Sequence, residues 1–331
     1  MKISTIIPTY NRRAFVFRAI DSVLAQTIPV DEIIVVDDGS SDGTAEAIRN
    51  HYGPRVITIQ QENKGVSAAR TQAVSQAHGE WLAFLDSDDI WLPTKLERQF
   101  YALSALGEDF GACFTNCSYF GRPDLRLTAF EEAGLKSNSE VGQLDSPSKY
   151  IVAGHLGIYV QSLVVRRSLF NEVGGFDDAL GISEDRDLIL RLALRTKFCF
   201  VSTPLVSIDR TRFVPRLTGL LVRKSDQAYD WLEYQCKKWL ALKDLVDFDT
   251  RQMIQEDLLS LYYSRAAERI NELKLAAALE KIHAIRGTGQ GYARIALTLL
   301  SRAARKLSRK LHALIGKNRH SLENTDDLSE M

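Results

Sequence analysis

Short apolar runs alternate with stretches of helical periodicity along the first hundred residues. ISTIIP (3–8) is a β-branched run stopped by proline, which predicts a strand. RRAFVFRAIDSVLA (12–25) carries its apolar residues at helical spacing. EIIVVDD (32–38) is a continuous apolar run that ends in acids and then GSSDGT; it predicts a buried parallel strand followed by a turn. DGTAEAIRNHY starts a helix, with Asp42 or Thr44 as its cap. RVITIQ (55–60) predicts a third strand, GVSAARTQAVSQA (65–77) an alanine-rich helix, and EWLAFLD (80–86) a fourth strand. LPTKLERQFYALSAL (92–106) is a helix with Pro93 near its first turn. Strands and helices in such close alternation predict an α/β fold, a mostly parallel sheet flanked by helices on both faces.

Further along, ACFTNCSYF (112–120) and YVQSLVVRR (159–167) predict strands, separated by a polar, turn-rich excursion. SEDRDLILRLALRT predicts a helix with a capping-box-like start at Ser183. FCFVSTPLVSIDRTR (198–212) predicts two short strands. From about residue 216 the pattern is helical throughout. This places a domain boundary near 215, a helical C-terminal extension over 216–320, and an acidic, disordered tail over 321–331. Within the extension, Ala293, Leu297, Leu300, Ala304, Leu307, Leu311 and Leu314 form a stripe flanked by Arg302, Arg305, Lys306, Arg309 and Lys310. Three uses stay open for residues 293–314: packing on the N-terminal domain, self-association with a second copy, or peripheral membrane contact on an anionic surface. A scarcity of large aromatics, with only Tyr292 nearby, counts against the last.

Composition changes this picture little. Lys plus Arg equal Asp plus Glu at 42 each, so no global charge points to nucleic acid or another polyanion. The four cysteines, Cys113, Cys117, Cys199 and Cys236, lack a second Cys or His pair at zinc-site spacing and read as buried free thiols. The N-terminal apolar stretch is short for a signal peptide, and no run of about 18 apolar residues suggests a membrane span. A cytoplasmic location is expected, peripheral on the inner membrane face if the basic helix meets lipid.

The chemistry gathers at strand ends, where open α/β sheets bind ligands. PTYN follows the first strand, DDGSSD the second and DSDD the fourth. Asp86, Asp88 and Asp89 set like charges against a buried strand, a costly arrangement unless something compensates. A hard divalent cation, Mg2+ or Mn2+, prefers such oxygen ligands and neutralises a departing diphosphate. Arg70 offers that diphosphate a second positive contact. The plainer alternative is that these Asp and Ser residues cap helices and form turns. The glycines of GGF (174–176) permit close backbone approach or simply a turn. His155 has no evident chemical partner.

STIIPTYNR, IIVVDDGSSDGT, ENKGVSAARTQAVSQAHGEWLAFLDSDDIWLPTKLE and VGGFDDALGISEDRDLILRLA together resemble the successive motifs of family 2 glycosyltransferases, the inverting GT-A class. The resemblance covers roughly residues 3–196, in order, and leaves out the C-terminal third. It implies a GT-A-type sheet and a nucleotide-diphosphate sugar as donor. Pro8, Thr9 and Tyr10 would contact the donor base, and Asp38 would hydrogen-bond it. Asn63, Lys64 and Arg70 would lie near the ribose and diphosphate. DSDD matches the DxD site for metal and ribose: Asp86, Ser87 and Asp88 by literal spacing, Asp88 and Asp89 by the IWLP that follows. Asp185 would be the general base, with Glu184 its competitor, and the bland reading of both is that acids favour a helix N-terminus. Where many relatives carry Arg-x-His, this chain has Arg210-Thr211-Arg212, which leaves the third metal ligand open. The implied activity is inverting transfer to a hydroxyl of a glycan or lipid-linked acceptor in cell-surface polysaccharide synthesis. The rivals are a non-catalytic nucleotide-sugar or glycan-binding protein on the same fold and, disfavoured because PTYNRR has no glycine, a sugar nucleotidyltransferase.

Overall fold

The structure is a computed structural model that describes residues 1–121, 127–152, 158–211, 225–242 and 245–271. In chain order the elements are β1 Ile3–Thr9, α1 Arg13–Leu24, β2 Glu32–Asp37, α2 Thr44–Tyr52, β3 Ile57–Gln60, α3 Val66–Ser75, β4 Trp81–Phe84, β5 Ile90–Trp91, α4 Lys95–Leu106 and β6 Phe110–Phe120. They continue with α5 Ala129–Glu132, β7 Val141–Gln143, α6 Pro147–Val152, β8 Val164–Arg166, α7 Arg167–Glu172, α8 Glu184–Ala193, β9 Lys197–Asp209, α9 Asp226–Ala241 and α10 Phe248–Asn271.

One sheet runs β3-β2-β1-β4-β8-β6-β9-β5, with β7 added alongside β9. The four N-terminal strands are parallel, as is the β6–β9 pair. β8, β5 and β7 run antiparallel to their neighbours. The sheet is therefore mixed: parallel where sequential β-α units build it, antiparallel where short strands fill the gap between β4 and β6 and the far edge. Every residue of β1 and of β4 is buried, as two-sided cover by helices demands of a near-continuous apolar strand. Burial of each such isoleucine or phenylalanine contributes about 1.5–3 kcal/mol.

Three local expectations change. Residues 198–212 do not hold two short strands: β9 is one long strand whose register against β6 shifts at Thr115–Asn116 and again at Asn116–Cys117, so an irregularity in the ladder stands where a break was expected. The excursion between β6 and β8 contains α5, β7 and α6. Ser183 precedes α8 but makes no side-chain cap, because its backbone is left-handed.

All four cysteines are buried and unbridged. Among the described residues no helix is long and apolar enough to cross a membrane. The chain divides into two units, Met1–Met253 and Ile254–Met331. The boundary expected near 215, the stripe at 293–314, the tail from 321, His155 and Arg212 lie outside the described residues.

Candidate active site

The carboxyl ends of β1 and β2 are tied together first. Asn11, left-handed at φ 50°, accepts the Ser41 N–H at 2.9 Å on its side-chain oxygen and donates its own N–H to Ser40 Oγ at 2.8 Å. Pro8 pairs with Val36 in the sheet, Thr9 is buried, and Tyr10 is exposed. Asp37 accepts the Ser40 N–H at 2.8 Å on Oδ1, which shapes the turn. Asp38 faces the loop before α3. Its Oδ1 accepts from Gln61 Nε2 at 2.7 Å and the Lys64 N–H at 2.8 Å, and its Oδ2 from the Gly65 N–H at 2.9 Å. Gly39 lies so close to this loop that a Cβ would come within 2.9 Å of the Asn63 nitrogen, so only glycine fits. Asn63 itself is exposed.

The second group forms around Arg70, which projects from α3 and is 3% exposed. Its Nη2 donates to Asp86 Oδ1 at 2.7 Å and its Nη1 to Glu184 Oε1 at 2.6 Å. The guanidinium lies over the Phe176 ring at 5.2 Å, and Phe176 packs edge-on against Phe84 and Phe170. A planar cation with two donating edges is the side chain able to join two carboxylates in this way. Three segments of the sequence, α3, the end of β4 and the start of α8, therefore meet on one buried arginine. Both terminal nitrogens expected to reach a diphosphate are engaged with acids here.

The three acids of DSDD have separate surroundings. Asp86 is half-buried and holds Arg70. Ser87 is buried. Asp89 is buried with both oxygens engaged, Oδ2 by Gln161 Nε2 at 2.6 Å and Oδ1 by the Asp209 N–H at 2.8 Å. It straps β9 and the segment before β8 to the end of β4. Asp88 lies between. Burial and the charge of Asp86 hold its carboxyl above the usual carboxylate range, against the pull of Arg12.

Asp185 stands in the first turn of α8 beside Glu184. Burial, reinforced by Glu184 and opposed by Arg70, pushes its carboxyl up to about 7, and the charge of Asp86 adds to the rise. Its Oδ1 accepts the Arg186 N–H at 2.7 Å. Asp86, Asp88, Arg70, Glu184 and Asp185 thus form one electrostatic group, whereas Asp38 and the PTYN residues build a neighbouring wall of strand-end loops. Sequence reasoning missed the Arg70 partner role of Glu184 and the straps from Gln161 and Asp209. Adjacency to Asp185 was the one hint for Glu184; nothing local marks the other two.

A cation fits part of this donor set. Asp86 and Asp88 present hard oxygens, and the charge on Asp88 is disfavoured until something positive joins it. That suits an Mg2+ or Mn2+ ion held by one or two carboxylates and completed by substrate phosphates. Among the described residues no three His, Cys, Asp or Glu side chains form a ready-made metal cage.

A mixed sheet with helices on both faces and acids at the strand ends defines the GT-A class of fold. Residues 4–164, just under half of the chain, match the family model for Glycosyl transferase family 2, and that stretch belongs to the family. The succinoglycan biosynthesis protein ExoO of Rhizobium meliloti (strain 1021) is 31% identical over 202 residues, which cover 56% of this chain and 54% of ExoO. TarS 1-349 of S. aureus in complex with UDP-GlcNAc superposes with a TM-score of 0.66 at 20% identity, over 87% of this chain and 80% of that one. The mannosyltransferase PcManGT from Pyrobaculum calidifontis, in complex with GDP-Man and Mn2+, gives 0.53 at 20% identity over 92% and 80%. The chain spans about half the length of curated relatives such as ExoO.

Proposed function

We propose that this protein is a metal-dependent, inverting glycosyltransferase that moves a sugar from a nucleotide-diphosphate sugar to a hydroxyl of a glycan or lipid-linked acceptor. The observation that carries this reading is the Asp86–Arg70–Glu184 bridge, which puts Asp185 in the same electrostatic group as the DSDD acids. ExoO, named for succinoglycan biosynthesis, supports a role in polysaccharide synthesis.

In this mechanism the loops that carry Tyr10, Asp38 and Asn63 bind the base and ribose. Asp86 and Asp88 would hold the cation, with Asp89 behind them as their strap. When bound, the cation supplies positive charge that stabilises the diphosphate leaving group. Asp185 takes the proton from the acceptor hydroxyl as its oxygen attacks the anomeric carbon; the nucleoside diphosphate departs from the opposite face, which inverts the centre. A carboxyl that titrates at about 7 suits a base at neutral pH, since its proton affinity matches the medium. Arg70 keeps that carboxyl from rising further and fixes Asp86.

The test is release of free sugar from a panel of nucleotide-sugars with MnCl2, water acting as acceptor. Metal-dependent hydrolysis of at least one donor is expected, lost in Asp88→Ala and cut at least about 100-fold, to a measurable residual rate, in Asp185→Asn. Donor binding that raises thermal stability without metal, with no turnover across donors and acceptors, would establish a binding protein instead.

A further inference from the structure

The loop before α8 is held in shape from outside. Ser183 adopts φ 58° and ψ 23°, a left-handed conformation that a residue with a Cβ does not hold without outside support. Its side chain makes no cap to α8. The support comes from α9. Trp231, Tyr234, Gln235, Lys238 and Trp239 recur at steps of three, one, three and one, which is a single helical face. Each of the five engages the loop or the first turn of α8. The Trp231 ring covers Gly181, where a Cβ would approach to 2.2 Å. Tyr234 donates its hydroxyl to Asp177 at 3.1 Å. Lys238 donates to Asp177 at 2.6 Å and to Asp187 at 2.9 Å. Trp239 Nε1 donates to Asp187 Oδ1 at 3.0 Å. Gln235, 1% exposed, donates Nε2 to the Ser183 carbonyl at 2.9 Å. That carbonyl also accepts the Asp187 N–H at 3.1 Å, the bond that opens α8. Gln235 therefore grips the atom from which the helix carrying Asp185 starts.

We infer that Gln235, at the centre of the α9 face, is a positioning residue that fixes the direction in which Asp185 meets the acceptor. This rests on the reading of Asp185 as the base. α9 lies outside the residues matched by the family model, so motif comparison would not have drawn attention to it. A displacement of about 1 Å at a reacting group costs about 100-fold in rate, which is why one hydrogen bond behind the loop has catalytic weight.

The test is Gln235→Met, which keeps the volume and removes the donor. Hydrogen exchange comes first and needs no substrate. Peptides within 177–190 should exchange about 10-fold faster, with β1–β4 unchanged; unchanged exchange in 177–190, or equal loosening everywhere, would overturn the inference. In metal-dependent hydrolysis of the best nucleotide-sugar from the panel, kcat should fall about 10- to 100-fold with KM within about twofold. Adding Gln235→Met to Asp185→Asn should cause no further loss; a full multiplicative loss would mean Gln235 acts elsewhere. If Asp185→Asn hydrolyses the donor like the wild type, the base assignment fails, and hydrogen exchange still decides whether α9 holds the loop.

Discussion

Replacing the candidate base should make the protein more stable. Asp185→Asn keeps the side-chain shape and the oxygen that accepts the Arg186 N–H, and removes a charge that the fold disfavours. Raising a carboxyl from 3.8 to about 7 corresponds to about 4 kcal/mol above pH 7, at about 1.4 kcal/mol per tenfold change in proton affinity. Asp185 is half-buried and interacts with both Glu184 and Arg70, so screening and neighbour relaxation bring the expected gain to about 1–3 kcal/mol. The sign follows from proton binding. The unfolded carboxyl ionises near pH 4 and the folded one near 7, so across that window the folded state keeps a proton the unfolded state has lost. Wild-type stability from this group is intact below pH 4, falls as pH rises, and levels off above 7. Urea denaturation at pH 5, 6, 7 and 8 measures the difference. It should grow with pH in favour of Asp185→Asn, while the variant loses most of its donor hydrolysis. The same titration should make wild-type kcat climb through pH 7 to a plateau. Equal or lower stability of Asp185→Asn at pH 8, or an offset independent of pH, would refute the electrostatic account of this site.

Arg70→Met strands the carboxylates of Glu184 and Asp86 and should cost about 3–5 kcal/mol in urea denaturation; Arg70→Lys should recover less than half, because an ammonium cannot fork between two acids. Gly181→Ala drives a methyl into Trp231 and should lower stability by about 1–3 kcal/mol, a loss that shrinks when Trp231→Ala is added, as a thermal-denaturation double-mutant cycle would show. Lys95 is fully buried over the Trp91 ring, and burial lowers it to about 7. Between pH 7 and 10.5 the unfolded state holds the extra proton, so stability should rise with pH there. Lys95→Met should abolish that slope and be more stable at pH 6, by about 1–4 kcal/mol, in the same urea assay.

Much of the fold was legible along the chain. Strands buried on both faces read as unbroken apolar runs, and β1, β2 and β4 lie where those runs fall. Glycine-rich and acid-rich punctuation marks the strand ends and with them Asp86 and Asp88, whereas Asp38 and Asp185 are singled out by the resemblance to family 2 glycosyltransferases. The failures share a cause. β9 was divided in two because the register shift that accommodates its middle belongs to its pairing with β6, not to its own sequence. Ser183 looked like a side-chain cap, but its conformation is set by Gln235, 52 residues later.

The sequence by itself determined the order of strands and helices, the placing of acids at strand ends, and the family. Periodicity and turn chemistry act over a few residues, and each short segment states them. Tertiary structure alone decided that Arg70 would meet Glu184, 114 residues away, and that Asp89 would strap Asp209, 120 away. It also decided that Asp185 would titrate near neutrality. Those outcomes depend on how much water is excluded and which charges become neighbours once the chain closes on itself, and no local stretch encodes either.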